Sequence, residues 1–511
     1  MLGRAELRIG LAAIALALVA GTAVFEAPES ASYAASGDVM FYLATADVIA
    51  HGGGIRTPFG PWEGGPADSL SVPAHYPPGF ALVMSVPIRY GATAEQSARL
   101  VRALCFALSV ALATIVVAGA AGLWAGVLAG VFVIISPFVV FTHTIPFSEP
   151  LFIPFVIATI GLMVEAPDRP LAYGLTAALG LGVRLIGVAL TGAAMVWAFA
   201  TPGSLWQRVR RAALAFVPSI LVELPWLAYV HANHAGDDRH FGYYGPLGML
   251  IRKLIGMNLW WFWSLGTGGT LVALAKLVIL ALFVVIVVGA LRTAERGSRL
   301  TRLLAAIGLV VVCYDGVYLV ARLVLDWAND FEIRNFSVVQ ILFAMAVAAA
   351  LGRWWPRQTP AVRTVVAVLV AAWAVASATA SARFLRDAGD ESRQWTASVA
   401  NSPLLGWVRA NGQGREIYTN WNAFVWRGTL HRSRSVPLLY DADTIAQLGR
   451  MMARTNGVLI GWPKRLPLFS LRPDQMAAYA SPDRIAAELK LPVLARFDEG
   501  TVWGPPTAPA Q

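Results

Sequence analysis

The sequence has few charged residues and almost no cysteine. Charged residues make up only 14% of its 511 residues, compared with about 25% in a typical soluble domain. Hydrophobic residues reach 57%, which is more than a water-soluble protein of this size hides in one core. This composition excludes a soluble cytoplasmic enzyme and a disordered chain, and the presence of only two cysteines excludes a disulfide scaffold. The class that is left is a protein that crosses a membrane several times.

The sequence also lacks the motifs that bind nucleotides or zinc. It contains no Walker loop, no dinucleotide-binding glycine fingerprint after a strand, no cysteine–histidine zinc set and no GxSxG motif. Nucleotide-driven pumping and a soluble-type nucleotide-sugar transferase are therefore disfavoured. The His and Asp residues of 231–245 suit a metal ion, but their spacing is not diagnostic, and a solvated loop is the alternative. No cofactor is assigned, and a divalent metal stays open.

Eleven apolar runs predict a mainly α, polytopic membrane bundle. Most are near the roughly 20 residues that a membrane span needs. They cover residues 9–25, 100–121, 124–142, 149–164, 171–184, 186–200, 212–230, 271–291, 303–325, 336–351 and 364–382. The pair 171–184 and 186–200 is short and is also compatible with one long tilted helix.

The net charge of +10 predicts the orientation. In a soluble protein such an excess suggests nucleic acid, but in a membrane protein Arg and Lys mark cytoplasmic loops. With eleven spans and a cytoplasmic N-terminus, the Arg clusters at 208–211, 292–302 and 353–363 all lie inside. Merging the runs 171–184 and 186–200 into one helix would put some of these clusters outside, so the charges favour two separate spans. We therefore expect a multi-pass protein of a bacterial-type inner or plasma membrane, with no nucleic-acid partner.

This topology exports three polar pieces: residues 26–97, 231–270 and the C-terminal tail. We predict a membrane module at 1–383, which includes the first exported loop, and a small exported α/β domain at 384–511. In the tail, Ile417–Thr419, Val458–Gly461 and Val493–Phe497 are predicted strands. Two helices between them, Asp441–Arg454 and Pro482–Leu489, have Asp441 and Ser481 as candidate caps.

The first exported loop contains a candidate general base. Apolar spacing across Val39–Ile49 predicts an amphipathic helix on the membrane surface, with Asp38 at its start. Asp38 is either an N-cap that stabilises this helix by about 1 kcal/mol or a base at the membrane surface. Further along, Pro77 and Pro78 follow His75 and Tyr76 and predict an extended turn before an apolar segment.

Four more polar residues lie at or near predicted outer span ends. His143 and Glu149 flank a short exported turn, and Glu149 is either a dipole-favoured helix start or a functional acid. Arg184 interrupts an apolar stretch and suits a phosphate, with snorkelling to lipid headgroups as the alternative. Arg334 pairs with neighbouring acids or reaches an anionic ligand.

The order of these segments resembles the GT-C membrane glycosyltransferases that use polyprenyl-phosphate sugars, such as protein O-mannosyltransferases and lipid A aminoarabinose transferases. The similar segments cover nearly the whole chain: Gly37–Ala44, His75–Phe80, Ser148–Phe152, Arg184, Arg334–Phe336, Trp407–Asn411 and Glu416–Asn420. There are two departures. Val39 stands where many members have a second acid, and Asn335 replaces a Tyr.

The resemblance implies an inverting transfer of a sugar to an acceptor hydroxyl on the outer face, with Asp38 as catalytic base. It implies donor phosphate binding by Arg184, Arg334 and His143. It also implies contacts of the acceptor or the sugar with Tyr42, His75, Tyr76 and Glu149. The donor would be a polyprenyl-phosphate sugar in the membrane, and the acceptor a lipid, glycan or protein.

Two other classes of function remain open from the sequence. Eleven spans and an intramembrane Arg also suit a transporter or lipid flippase of the cell envelope. We find no paired halves of the kind that many transporters show, and the candidate charges lie at the outer face rather than the midplane. A non-catalytic subunit of polysaccharide assembly is the third possibility.

Overall fold

The computed structural model describes residues 4–27, 37–60, 70–233, 243, 245–259, 269–295, 297–324, 332–463 and 478–506. The chain divides into two compact units. The first comprises Met1–Glu29, His75–Val83 and Glu95–Gly389, and the second comprises Ser30–Ala74, Met84–Ala94 and Asp390–Gln511.

Helices dominate the described residues. From the N-terminus they are α1 Arg4–Glu26, α2 Gly37–Ala50, α3 Gly79–Arg89, α4 Ala94–Ala121, α5 Leu123–Ile135, α6 Pro137–His143, α7 Glu149–Glu165, α8 Pro170–Val183, α9 Val188–Ala200 and α10 Leu205–Ala232. They continue with α11 Leu247–Leu259, α12 Gly269–Thr293, α13 Arg299–Val324, α14 Ile333–Trp354, α15 Pro360–Asn401, α16 Pro403–Asn411, α17 Asn422–Thr429, α18 Ala442–Arg454 and α19 Pro482–Glu488.

Helix α14 is the central element of the first unit. It packs against α5, α6, α7, α12 and α13. Residues on every side of it are buried, including the run Asn335–Leu342, because a helix that is apolar all round must find partners on all sides. The amino end of α14 is thereby fixed beside α7 and α13, where several predicted site residues lie.

Six of the described helices are long and apolar enough to cross a membrane, or seven if the bent pair α5–α6 forms one span. These two helices meet at Ser136 with a bend of 64°. Each of the eleven apolar runs overlaps a helix, although the bend at Ser136 divides 124–142 and the run 364–382 is only part of the longer α15. The predicted mainly α, polytopic membrane bundle is confirmed, whereas the count of eleven spans stays a prediction because several of the helices are short.

The chain breaks between α8 and α9, as the charge pattern predicted. Helix α8 ends at Val183, Arg184 is extended with φ −147° and ψ 135°, and a 3₁₀ turn at Leu185–Gly187 leads into α9. A Cβ on Gly187 would approach the Leu181 backbone to 2.5 Å. Only glycine therefore allows the chain to turn back this closely on the end of α8.

The second unit contains a mixed six-stranded sheet in the order β1-β3-β2-β4-β6-β5. The strands are β1 Phe59–Gly60, β2 Ile417–Thr419, β3 Ser433–Ser435, β4 Val458–Gly461, β5 Val493–Phe497 and β6 Gly500–Trp503. The first four in the order run parallel, while β6 is antiparallel to both β4 and β5.

The elements predicted for the C-terminal tail are confirmed. The three predicted strands are β2, β4 and β5, with the same bounds. Both candidate caps accept the expected backbone hydrogen bonds: Asp441 Oδ2 from Thr444 N at 2.9 Å and Ser481 Oγ from Arg484 N at 3.2 Å. Hydrogen bonds from the side chain and the backbone of Thr444 lower the pKa of Asp441.

The first exported loop differs from the expectation. Strand β1 pairs with β3, so this part of the loop joins the sheet of the second unit instead of belonging to the membrane module. Helix α2 packs on α17, and its consecutive residues Leu43–Ala46 are all buried. Four consecutive buried residues cover almost the whole circumference of a helix, so the prediction of an amphipathic helix on the membrane surface is wrong.

A buried ion pair joins β3 to the residue before β2. Arg434 in β3 donates from Nε to Glu416 Oε1, and the two side chains are only 5% and 7% exposed. Removal of one member of such a pair leaves a buried charge without its partner. The pair therefore fixes the centre of the sheet more strongly than a surface pair would.

We expect Glu416→Ala to lower the free energy of unfolding by about 3–5 kcal/mol, because it strands the Arg434 charge. Thermal unfolding of the purified protein in detergent measures the effect. Asp390→Ala is the matched control: its pair with Arg393 is exposed, and such pairs contribute about 0–1 kcal/mol. Equal shifts in the two variants would contradict the structural role of the buried pair.

Candidate functional site

Glu149 is the centre of a polar cluster in the first unit. It is the first residue of α7, and its side chain is 0% exposed. A carboxylate is favourable at a helix amino end because the unpaired N–H groups carry partial positive charge. Complete burial of the charge nevertheless requires a cation nearby.

Arg184 supplies that cation from the break between α8 and α9. Its NH1 lies 2.5 Å from Glu149 Oε2 and donates to Ser148 Oγ at 3.1 Å. Its NH2 donates to Asn335 Oδ1 at 3.0 Å. The guanidinium group thus joins three separate segments of the chain, the starts of α7 and α14 and the α8–α9 break.

Arg334 approaches the same carboxylate from α14. Its Nε lies 3.9 Å from Glu149 Oε1 and donates to Glu332 Oε2 at 2.5 Å. Its Cζ stands 3.9 Å from the centroid of the Phe147 ring, which is a cation–π contact. Two arginines therefore flank one buried carboxylate, and a second carboxylate balances the charge.

Asn335 is a member of this cluster that the sequence did not single out as functional. Besides accepting from Arg184, it donates from Nδ2 to the Tyr318 hydroxyl at 2.9 Å, and its carbonyl accepts from the Tyr314 hydroxyl at 2.6 Å. In the sequence, Asn335 was noted only because it replaces the Tyr that follows the arginine in GT-C members. A polar amide in the first turn of an apolar helix was the one signal that could have marked it as functional.

The cluster places donor groups between a buried charge and accessible space. The Arg184 and Arg334 side chains are 19% and 17% exposed, whereas Glu149 is fully buried. Each guanidinium has five N–H donors in a rigid fork. Glu149 holds Arg184 and Glu332 holds Arg334, and two guanidinium groups fixed in this way suit an anionic ligand.

His143 lies at the end of α6 and is completely buried. Its Nδ1 contacts Val139 O at 2.8 Å, and its ring packs on Phe106 at 4.7 Å between centroids. Since a carbonyl only accepts, Nδ1 carries a proton. Among the described residues Nε2 has no hydrogen-bond partner. The described contacts of His143 do not include Glu149, Arg184 or Arg334.

The proline-rich turn lies beside the segment that carries Arg184. His75 and Tyr76 are half-buried and their rings meet edge to face at 6.4 Å. At the start of α3, a Cβ on Gly79 would come within 2.6 Å of the Gly182 carbonyl oxygen. This close approach sets the turn against the last residues of α8.

Asp38 and Tyr42 belong to the second unit. Asp38 lies in the first turn of α2 and is half-buried, and Tyr42 is 6% exposed. Because the helix begins at Gly37, Asp38 is inside the first turn rather than preceding it, a position where the helix dipole favours a carboxylate.

The described residues contain no group of three or more His, Cys, Asp or Glu residues suited to a metal ion. Most of the loop 231–245, where the sequence left a metal open, lies outside the described residues.

Solved structures share this architecture over nearly the full chain. ArnT from Cupriavidus metallidurans matches with a TM-score of 0.62 at 13% identity, covering 97% of each chain. It has also been solved bound to undecaprenyl phosphate, with a TM-score of 0.60. The archaeal oligosaccharyltransferase AglB from Archaeoglobus fulgidus, solved with an inhibitory peptide and a dolichol-phosphate, matches at 0.50 and 13% identity, over 95% of this chain and 72% of AglB.

The arabinofuranosyltransferase AftD from Mycobacteria matches at 0.52 and 14% identity, over 97% of this chain and 41% of AftD. The chain has the GT-C fold. No protein-family model and no curated protein sequence matches it.

The GT-C fold confirms the resemblance that the sequence indicated, over nearly the whole chain. A polytopic helical bundle and a small sheet domain occur in one chain. At 13–14% identity the likeness concerns the fold, so the chemistry has to be argued from the polar cluster.

We expect Glu149→Gln to lower the free energy of unfolding by about 3–5 kcal/mol, because two part-buried guanidinium groups lose their shared counter-charge. Thermal unfolding in detergent tests this. Glu332→Gln is the control, since its carboxylate is 35% exposed and the effect should stay near 1 kcal/mol. A Glu149→Gln variant as stable as the control would show that the cluster does not hold the helix ends together.

Proposed function

We propose that the protein is a glycosyltransferase that moves a sugar from a polyprenyl-phosphate donor to an acceptor hydroxyl on the extracytoplasmic face. The observation that supports this proposal most directly is the pair Arg184–Glu149, flanked by Arg334, at the end of membrane-type helices in a GT-C fold. Fixed guanidinium forks near a membrane surface suit the phosphate of a lipid-linked donor.

The proposed reaction is a single displacement. The acceptor oxygen forms a bond to the anomeric carbon while the bond from that carbon to the phosphate oxygen breaks. Asp38 accepts the hydroxyl proton, and polyprenyl phosphate leaves with the bonding electron pair. Attack from the side opposite to the leaving group inverts the anomeric configuration.

The arginines act on the leaving group in this proposal. Arg184 and Arg334 stabilise the negative charge that develops on the phosphate, an effect that is strong where water is excluded. Glu149 positions Arg184 and lies near Arg334. The role that the resemblance implies for it, a contact with the acceptor or the sugar, requires the arginines to move aside when the substrate binds. For His143 to assist at the phosphate, its Nε2 has to carry a proton, since a phosphate oxygen only accepts hydrogen bonds. Tyr42, His75 and Tyr76 contact the sugar or the acceptor.

The relatives of known structure support the donor class. ArnT was solved with undecaprenyl phosphate, and AglB with a dolichol-phosphate and a peptide. By analogy, the donor here carries a polyprenyl chain, and the acceptor is a lipid, glycan or protein. From the Arg clusters of the loops we propose a cytoplasmic N-terminus and an extracytoplasmic C-terminal domain.

A radiolabelled polyprenyl-phosphate sugar tests the function directly. The purified protein in liposomes is incubated with this donor and with candidate lipid, glycan and peptide acceptors. We expect label to become covalently attached to one acceptor class. Movement of intact donor across the bilayer without transfer would instead identify a transporter or flippase and would overturn the proposal.

We expect Asp38→Asn to reduce turnover at least about 100-fold, because general base catalysis contributes about 10²–10⁴-fold. Donor binding should persist. Asp47→Asn is the matched control on the same helix, where Asp47 pairs with His51, and it should turn over normally. Near-normal turnover of Asp38→Asn in folded protein would remove Asp38 as the base.

We expect Arg184→Lys to weaken donor binding about tenfold. Lysine keeps the charge opposite Glu149 but loses the bidentate fork, and hydrogen bonds to charged groups contribute about 1.5–3 kcal/mol. Arg334→Ala should weaken donor binding as well. Donor affinity is measured by equilibrium binding, with Arg393→Lys as the surface control. Unchanged affinity in both site variants would exclude their phosphate roles.

A further inference from the structure

A second polar site lies within the first unit, at the other end of its helices. A cavity of about 670 Å³ is formed by the end of α4, the turn before α13 and the end of α14. Its polar lining consists of Glu295, Ser298, Arg299, Arg353 and Arg357. None of these residues takes part in the proposed transfer.

The cavity is one helix length away from the Glu149 cluster. Helix α7 begins at Glu149 and ends at Glu165, whose Oε2 lies 3.0 Å from Arg299 NH2 at the cavity. Seventeen residues of helix span about 25 Å. The two sites therefore occupy opposite ends of the bundle, and the cavity lies at the end that the charge pattern predicts to be cytoplasmic.

Three arginines and one glutamate are among the residues that line the cavity. Arg353 NH2 donates to Thr293 O at 3.1 Å, and Arg357 NH1 donates to Arg353 O at 2.5 Å. Among the residues that the structure describes, these are the contacts of the two side chains, so each retains several of its five donors. Backbone carbonyls thus hold both groups in place without neutralising their charge.

The other cavity charges leave a positive excess. Arg299 pairs with Glu165 and donates to Gly119 O at 3.5 Å, which leaves Glu295 to balance Arg353 and Arg357. Helix α13 begins at Arg299, and its amino end adds partial positive charge.

We propose that this cavity binds the phosphate of an anionic membrane lipid headgroup from the cytoplasmic leaflet. Arginine forks match phosphate oxygens in pairs, and basic pockets between membrane helices on the cytoplasmic side take acidic lipids. The volume lies within the range of small-ligand sites. Ala120, Ala121 and Leu300 add an apolar part to the lining, which suits the glycerol and first methylene groups of a lipid better than a soluble phosphate.

Native mass spectrometry of the full-length protein in detergent tests the proposal, with phosphatidylglycerol and phosphatidylcholine of the same acyl chains as probes. We expect the wild type to bind the first phosphatidylglycerol more tightly than phosphatidylcholine. Arg353→Gln with Arg357→Gln should weaken that first binding step about 25-fold, since each arginine near anionic lipid contributes about fivefold.

The control variant carries Arg210→Gln and Arg292→Gln, which remove the same charge from exposed positions outside the cavity lining. It should bind phosphatidylglycerol like the wild type. Arg299→Gln is a second test in case the double cavity variant does not fold, and it too should weaken binding. Thermal unfolding checks that each variant is folded.

Three results would overturn the proposal. Equal losses in cavity and control variants would show that bulk charge, not the cavity, attracts the lipid. Equal binding of the two lipids by the wild type would exclude a site for an anionic headgroup. Displacement of bound phosphatidylglycerol by soluble glycerol 3-phosphate, in a protein that does not prefer phosphatidylglycerol over phosphatidylcholine, would identify a soluble phosphate as the ligand instead.

Discussion

The first unit depends on the neutralisation of one fully buried carboxylate. Glu149 could not remain charged among apolar helices without a cation, and its cation comes from a residue 35 positions later in the chain. Arg184 reaches it only because α8 stops at Val183 and the next residue is extended. A continuous helix would have carried the side chain elsewhere, so the break in the span and the ion pair require each other.

The same requirement explains the close packing around the break. Gly79 lies against the Gly182 carbonyl, and Gly187 lies against Leu181, each at distances that leave no room for a Cβ. These contacts bring the proline-rich turn to the end of α8 and return the chain into α9. The glycines thus fix the path of the backbone, and this path brings Arg184 to Glu149.

Much of this organisation could be predicted from the sequence, because it follows from local patterns. The apolar runs determine the helices of the first unit. In the tail, short strand-like segments alternate with helix-like segments, and they correspond to β2, β4, β5 and the capped helices α18 and α19. Glu149, Arg184 and Arg334 were identifiable one by one, since a charged residue at the edge of an apolar run is unusual.

Long-range pairing was not predictable in this way. Strand β1 has only two residues and no period of its own, and it forms because β3, more than 370 positions later, offers a parallel edge. That pairing is why α2 is buried in the second unit rather than spread on a membrane surface. Asn335 was missed for a similar reason, since its importance lies in contacts with Arg184 and Tyr318, and neither is close in sequence.

The lengths of α7 and α14 connect the two polar ends of the first unit. Between Glu149 and Glu165, and between Arg334 and Arg353, neither helix contains a charged residue. At 1.5 Å per residue the charge-free stretches of 15 and 18 residues are about 22 and 27 Å long. The distance between the arginine–glutamate cluster and the basic cavity is therefore set by the lengths of these two helices. Direct electrostatic coupling over such a distance is weak beside the contacts within each end. Any influence of one end on the other would have to pass through a rigid displacement of the two helices that reach both, and the burial of α14 on every side makes it the element through which such a displacement would act.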